Sequence, residues 1–144
     1  MHFQLLDARD SLAASQLRNI TELLRSVDPQ VQEMTRGRMA DVIRTSTWVL
    51  GRVILPRESE IVALGILVPK DAFELAWVET LIVSPGRRRQ GMGGQLTQRL
   101  ITAARSQGHQ RIEAELHDEG SPADRLMLNS HFSRGSDRYV LSLV

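Results

Sequence analysis

Apolar residues change their spacing along the chain, and each change marks an element. Phe3-Gln4-Leu5-Leu6 reads as a short first strand. Over residues 11–26, Leu12, Leu17, Ile20, Leu23 and Leu24 recur near a helical interval, with Asp10 or Ser11 suited to cap the start. Asp28-Pro29 ends that helix, because proline disfavours helical backbone at the residue before it. A second helix is predicted over residues 31–44, carrying Met34, Met39, Val42 and Ile43. Strands follow over residues 47–55 and 60–68, separated by the turn signal Pro56-Arg57-Glu58-Ser59 and expected to pair as an antiparallel hairpin. Pro69-Lys70-Asp71 is expected to stop the second of them. Residues 73–84 form a third run, closed by Pro85-Gly86. A helix over residues 91–106 places Leu96, Leu100, Ala103 and Ala104 on one face and stops near Gly108. Residues 111–117 alternate Ile112, Ala114 and Leu116 inward, residues 122–130 suit a short helix, and residues 138–144 a last strand.

Strand, helix and strand across residues 73–117 make a right-handed crossover unit, which sets two parallel strands side by side. The expected fold class is therefore α+β: a mostly antiparallel mixed sheet with a central parallel β-α-β unit, flanked by helices. The chain has no internal repeat. Its 144 residues suit one domain, 1–144. No apolar run approaches the ~20 residues that span a bilayer. Residues 1–10 lack the basic start and apolar core of a secretory signal. The absence of cysteine excludes disulfides, thiolate zinc sites and a cysteine nucleophile, and it fits a cytoplasmic protein.

A net charge of +1 argues against bulk attraction to nucleic acid or to an anionic membrane, so neither is expected as a partner. Lys70 is the only lysine, and every other basic residue is arginine. A GC-rich genome accounts for such a skew, but arginine also suits phosphate, because its planar fork binds two oxygens at once. The skew matters most at Arg87-Arg88-Arg89-Gln90-Gly91-Met92-Gly93-Gly94, between the third run and the helix after it. Three glycines stand where helix amides are still unpaired. Glycine lets a ligand approach the backbone, and free N–H groups at the positive end of the helix dipole favour an anion. Such a segment suits a di- or polyphosphate. The alternatives are a glycine-rich turn with solvated arginines, and a nucleic-acid patch, which here lacks interleaved aromatics. A Walker loop is excluded because no Gly-Lys-Ser/Thr follows a glycine at the required spacing. The dinucleotide fingerprint is excluded because Leu96 holds its third glycine position.

Arg88-Arg89-Gln90-Gly91-Met92-Gly93 fits the pattern Arg/Gln-x-x-Gly-x-Gly/Ala, and it follows Val78-Glu79-Thr80-Leu81-Ile82-Val83. Here the chain resembles the GNAT family, the GCN5-related N-acetyltransferases. The likeness is tight over about residues 77–108 and weak before residue 47. It implies the GNAT acyl-CoA N-acyltransferase fold, with acetyl-CoA as cosubstrate and a primary amine of a small molecule or protein as acceptor. It also implies that Arg88, Arg89, Gln90, Gly91, Met92, Gly93 and Gly94 hold the pyrophosphate of acetyl-CoA. The strand before this loop would splay from its parallel neighbour, with Leu81, Ile82 and Val83 giving backbone contacts to pantetheine.

Glu79 is the candidate base, an acidic residue in an apolar stretch. Partial burial there would raise its proton affinity toward the useful range. The alternative is a carboxylate on the solvated face of the strand, paired with an arginine. The acid is where the chain departs from the family pattern, Ala-x-x-Leu/Phe-Tyr followed by Gly-Phe. Met127 stands in the tyrosine position and His131 in the glycine position. Met127 donates no proton and also reads as core filler. The candidate catalytic substitute is Tyr139, beside His131, Asn129, Ser121 and Ser133; the other reading of Tyr139 is a sheet residue packed on the core. His117 ends the strand beside the cleft, as a substrate contact or a satisfied surface histidine. The four histidines have no metal-ligand spacing, and no metal is expected. Met127 keeps a rival open, a non-catalytic acyl-CoA-binding regulatory protein. The last strand and Trp48 are available to a homodimer.

Overall fold

The computed structural model describes residues 2–57, 59–87 and 91–144. The loop positions Arg88, Arg89 and Gln90 lie outside the described residues. Among the described residues, seven strands form one sheet in the order β1-β2-β3-β4-β5-β7-β6. They are β1 His2–Leu5, β2 Thr47–Ile54, β3 Ser59–Lys70, β4 Leu75–Val83, β5 Arg111–Glu115, β6 Ser133–Arg134 and β7 Arg138–Ser142. All neighbours are antiparallel except β4 and β5. The helices are α1 Ala14–Arg25, α2 Arg36–Val42, α3 Met92–Ser106 and α4 Pro122–Asn129.

The sheet is buried on both faces. Leu17, Ile20 and Leu23 of α1 join Trp48, Leu50, Leu64, Ile66 and Ile82 on one face. Leu96, Leu100 and Ala104 of α3 pack with Val49, Ala63, Ala76, Ile112 and Met127 on the other. The period-two alternation of β2 explains this, sending Val49 to one side and Trp48 and Leu50 to the other. Gly65 of β3 lies under α3, where an added Cβ would sit 2.8 Å from Leu100 Cδ1. The helix therefore approaches the sheet closely over that glycine.

Several expectations change. α2 is a short helix from Arg36, because Thr35 caps it through a hydrogen bond from the Arg38 N–H (3.2 Å) and the stretch before it is not helical. That stretch is tied to α1, where Thr21 Oγ1 accepts the Met34 N–H at 2.9 Å. β3 runs through Pro69, since its partner β2 ends opposite Leu67 and leaves a free edge where no N–H is needed. Trp48 is 3% exposed and donates its indole N–H to Ser46, so it is core and not a dimer surface. The last strand is not an edge either, because the two-residue β6 pairs with it. Among the described residues no helix is long and apolar enough to cross a membrane.

Candidate functional site

β4 carries one residue more than β3 can pair. Leu67 faces Val78 and Ile66 faces Thr80, which leaves Glu79 as a bulge. The bulge shifts the alternation: Ala76 and Val78 lie toward α3 before it, and Leu81 and Val83 lie toward α3 after it. A bulge bends its strand and increases the local twist. Here it coincides with the end of the parallel pairing, whose last pair is Val78 with Ala114. Thr80–Val83 stays paired with β3 while β5 diverges. The edge of Glu79–Ile82 that faces β5 has no strand partner among the described residues.

The parting opens a cleft of about 440 Å³. Glu79, Thr80, Leu81 and Ile82 form one wall, and Ala114, Glu115, His117 and Met127 the other. Leu24, Val27, Asp28 and Val31 close it from the end of α1 and the loop beyond. The described lining holds three carboxylates, Asp28, Glu79 and Glu115, and no lysine or arginine. None of the three joins an ion pair among the described residues. Arg111 and Arg138 are held outside by Glu113, each at 2.7 Å. Burial pushes the Glu113 carboxyl up, but the hydrogen bonds from Arg138 and Arg111 outweigh it and hold the group below the usual range. Glu79 is exposed to the cleft, not partly buried as expected, because the bulge turns it out of the sheet.

After β4 the described residues form a 3-10 turn, Pro85–Arg87, and Gly91 stands at the start of α3. Gly91 caps α3 with φ +75°, a left-handed backbone that glycine adopts without strain. The first bond of α3 runs from the Gln95 N–H to the Gly91 carbonyl at 3.1 Å. The amides of Met92, Gly93 and Gly94 precede it and have no helical partner among the described residues. A Cβ on Gly91 would meet nothing within 4 Å, so the approach to these amides is open. A Cβ on Gly93 would lie 3.2 Å from Leu126, so that glycine lets α4 pack against the start of α3. This open, donor-rich helix start fits a phosphate group. A wide groove of about 800 Å³ continues from Gly91 and Gly94 across Gln95, Leu126 and Asn129.

Tyr139 stands apart from the cleft lining. It is fully buried and its hydroxyl donates to Asp124 Oδ1 at 2.6 Å. Desolvation pushes the phenol up, and the bond to Asp124 adds to it. Asp124 is held below the usual carboxylate range by that hydroxyl first, then by the Gly120 N–H (2.9 Å) and by Arg134 (2.7 Å). The group clamps α4 to β7. Arg134 also donates to the His117 carbonyl at 2.9 Å, and the His117 N–H reaches Tyr139 Oη at 3.4 Å. The cluster thus holds the backbone of a cleft residue from both sides. The sequence carries no motif for it, since Asp124, Arg134 and Tyr139 are brought together only by the fold. Met127 lines the cleft and is 2% exposed. His131, at the expected glycine, keeps a glycine-like φ of +74°. His131, Asn129, Ser121 and Ser133 do not line the cleft. Among the described residues no three histidine, aspartate or glutamate side chains converge as a metal set.

The sequence matches the model of the acetyltransferase (GNAT) family over residues 17–132. None of the curated proteins matches it significantly in sequence. An aminoglycoside 6'-N-acetyltransferase from Enterococcus faecium superposes with a TM-score of 0.70 at 14% identity, over 100% of this chain and 98% of that one. An acetyltransferase of the GNAT family from Staphylococcus aureus Mu50 gives 0.69 at 14% identity, over 99% and 100%. The Salmonella typhimurium protein yncA, solved with its cofactor acetyl-CoA, gives 0.71 at 15% identity, over 100% and 94%. At such identities the likeness is one of fold.

Proposed function

The chain belongs to the GNAT acetyltransferase family, and we propose that its cleft moves an acetyl group from acetyl-CoA to a primary amine by direct attack, with residues 1–144 as one catalytic domain. The seven-stranded mixed sheet with its parallel β4–β5 pair and four helices is that family's fold. The observation that carries the reading is the parting of β4 from β5 at the Glu79 bulge, with the open amides of α3 at the far end of the same strand.

Acetyl-CoA supplies an activated acetyl thioester. In this reading Met92, Gly93 and Gly94 offer amides to its pyrophosphate, with Gly91 shaping the turn and Arg88, Arg89 and Gln90 completing the loop. Leu81 and Ile82 offer backbone groups along the free edge of β4, and Val83 carries the strand on toward the phosphates. The groove over α3 and α4 accommodates the nucleotide end. Glu79 takes the proton of the attacking nitrogen, directly or through water. An exposed carboxylate suits that task here, because it can meet an acceptor entering from the α1 side. The carboxylate lining favours an amine, which arrives as a cation, over an acceptor that carries its own carboxylate. Tyr139 is assigned to support, because its proton is already donated to Asp124 behind the cleft wall.

Two measurements test the proposal. Calorimetry with acetyl-CoA and CoA should show saturable heat, and an amine panel should then release free thiol. No heat with either compound contradicts the reading. Binding without thiol release on any amine would mark the chain as a non-catalytic acyl-CoA-binding protein.

A further inference from the structure

The family's tyrosine position is filled by buried Met127, so the departing sulfur has no proton donor at the usual place. The described lining of the cleft narrows the substitutes. Carboxylates accept protons at neutral pH and a threonine hydroxyl is too weak an acid to give one. Imidazole alone among side chains ordinarily does both near pH 7. We propose that His117 is the proton donor to the thiolate, set in the cleft by the Tyr139–Asp124–Arg134 clamp; this rests on the acetyltransferase reading above.

Three features support it. His117 lies on the wall opposite β4, which Met127 also lines. Its backbone is fixed on both sides, through Arg134 at its carbonyl and Tyr139 at its N–H. Its ring rests against the Tyr139 ring, with centroids 6.1 Å apart at 37°. No side-chain hydrogen bond engages the imidazole among the described residues, so both nitrogens are available. The ionisable groups around it are Glu79, Asp28 and Glu115 in the cleft, Asp118 and Glu119 following in the chain, and Tyr139, Asp124 and Arg134 behind.

The proton balance closes. The amine nitrogen forms the bond to the acetyl carbon, the carbon–sulfur bond breaks, and the sulfur takes the electron pair. Glu79 accepts the nitrogen's proton, and His117 gives one to the sulfur. Water then carries the proton from Glu79 back to His117, leaving amide and free thiol. Tyr139 and Arg134 are positioning residues in this scheme.

The test compares CoA with desulfo-CoA, which lacks the thiol. In proton NMR of the intact protein, with His117 assigned by the loss of its signal in His117→Asn, CoA should shift the imidazole resonances and desulfo-CoA should not. In the same variant kcat should fall about 10²-fold, with acetyl-CoA affinity kept within about twofold. Equal shifts with CoA and desulfo-CoA overturn the proposal. So does a variant with unchanged kcat, or one that loses affinity in step with rate. If neither compound binds, the acetyltransferase reading fails first and takes this proposal with it.

Discussion

Gly91 and Gly86 form a matched pair for testing the turn that caps α3. A Cβ added at either meets no heavy atom within 4 Å. Only Gly91 is left-handed, at φ +75°. That backbone costs an L-residue about 1–2 kcal/mol. Replacing glycine with alanine also stiffens the unfolded chain, which stabilises by about 0.4–1 kcal/mol. Gly91→Ala should therefore lose roughly 0.5–1 kcal/mol net, and Gly86→Ala should gain up to about 1 kcal/mol. In thermal melts the two variants should bracket the wild type, separated by roughly 3–8 °C. Gly91→Asn should regain most of the loss, because asparagine tolerates the left-handed region. A second readout is acetyl-CoA affinity by calorimetry. The new methyl at Gly91 stands in the open approach to the Met92 and Gly93 amides, so affinity should drop tenfold or more, about 1.4 kcal/mol. Gly86→Ala should bind as the wild type does. Equal melting temperatures would refute the strain argument, and undiminished affinity in Gly91→Ala would refute the anion cradle.

Glu79→Gln should lower kcat by about 10²-fold or more in a thiol-release assay while leaving acetyl-CoA binding unchanged by calorimetry. A rate within twofold of wild type would remove Glu79 as the base. The carboxylate lining predicts that an α,ω-diamine outperforms a monoamine of equal chain length, and that both outperform an ω-amino acid; in kcat/KM, a preference for the amino acid would contradict the charge argument. Tyr139→Phe removes the leading cause of the low Asp124 pKa. A carboxyl held low when folded stabilises above its unfolded value, near 3.8, and that gain disappears as pH falls through the folded value. The variant should thus be less stable than wild type in urea at pH 7, with the gap narrowing below about pH 4. A gap that is the same at both pH values would count against the clamp.

The parallel β4–α3–β5 unit was legible because each element carries a strong period, and Gly108, at φ +87°, is the stop that the pattern implies. The open start of α3 at Gly91, Met92, Gly93 and Gly94 was legible, since three glycines there precede an amphipathic helix. The bulge at Glu79 was not. It lies in a nearly continuous apolar run, where one extra residue leaves no mark on composition and shows only in the register against β3. The short α2 escaped for a related reason: Met34 has helical spacing but is fixed in a non-helical stretch by Thr21, thirteen residues earlier. Trp48 was read as available to a dimer, and only the packing of α1 shows it to be core. Tyr139 was noticed as the sole tyrosine. Its partners Asp124 and Arg134 come from two other elements, so no spacing rule joins them.

One ligand, acetyl-CoA, should engage a strand edge and a helix start together. Amide hydrogen exchange with and without saturating acetyl-CoA examines both at once. Protection should rise at Leu81 or Ile82 on β4 and at Gly93 and Gly94 on α3, with little change across β1 and β2. Protection confined to other surfaces, or none at these amides despite binding, would contradict it.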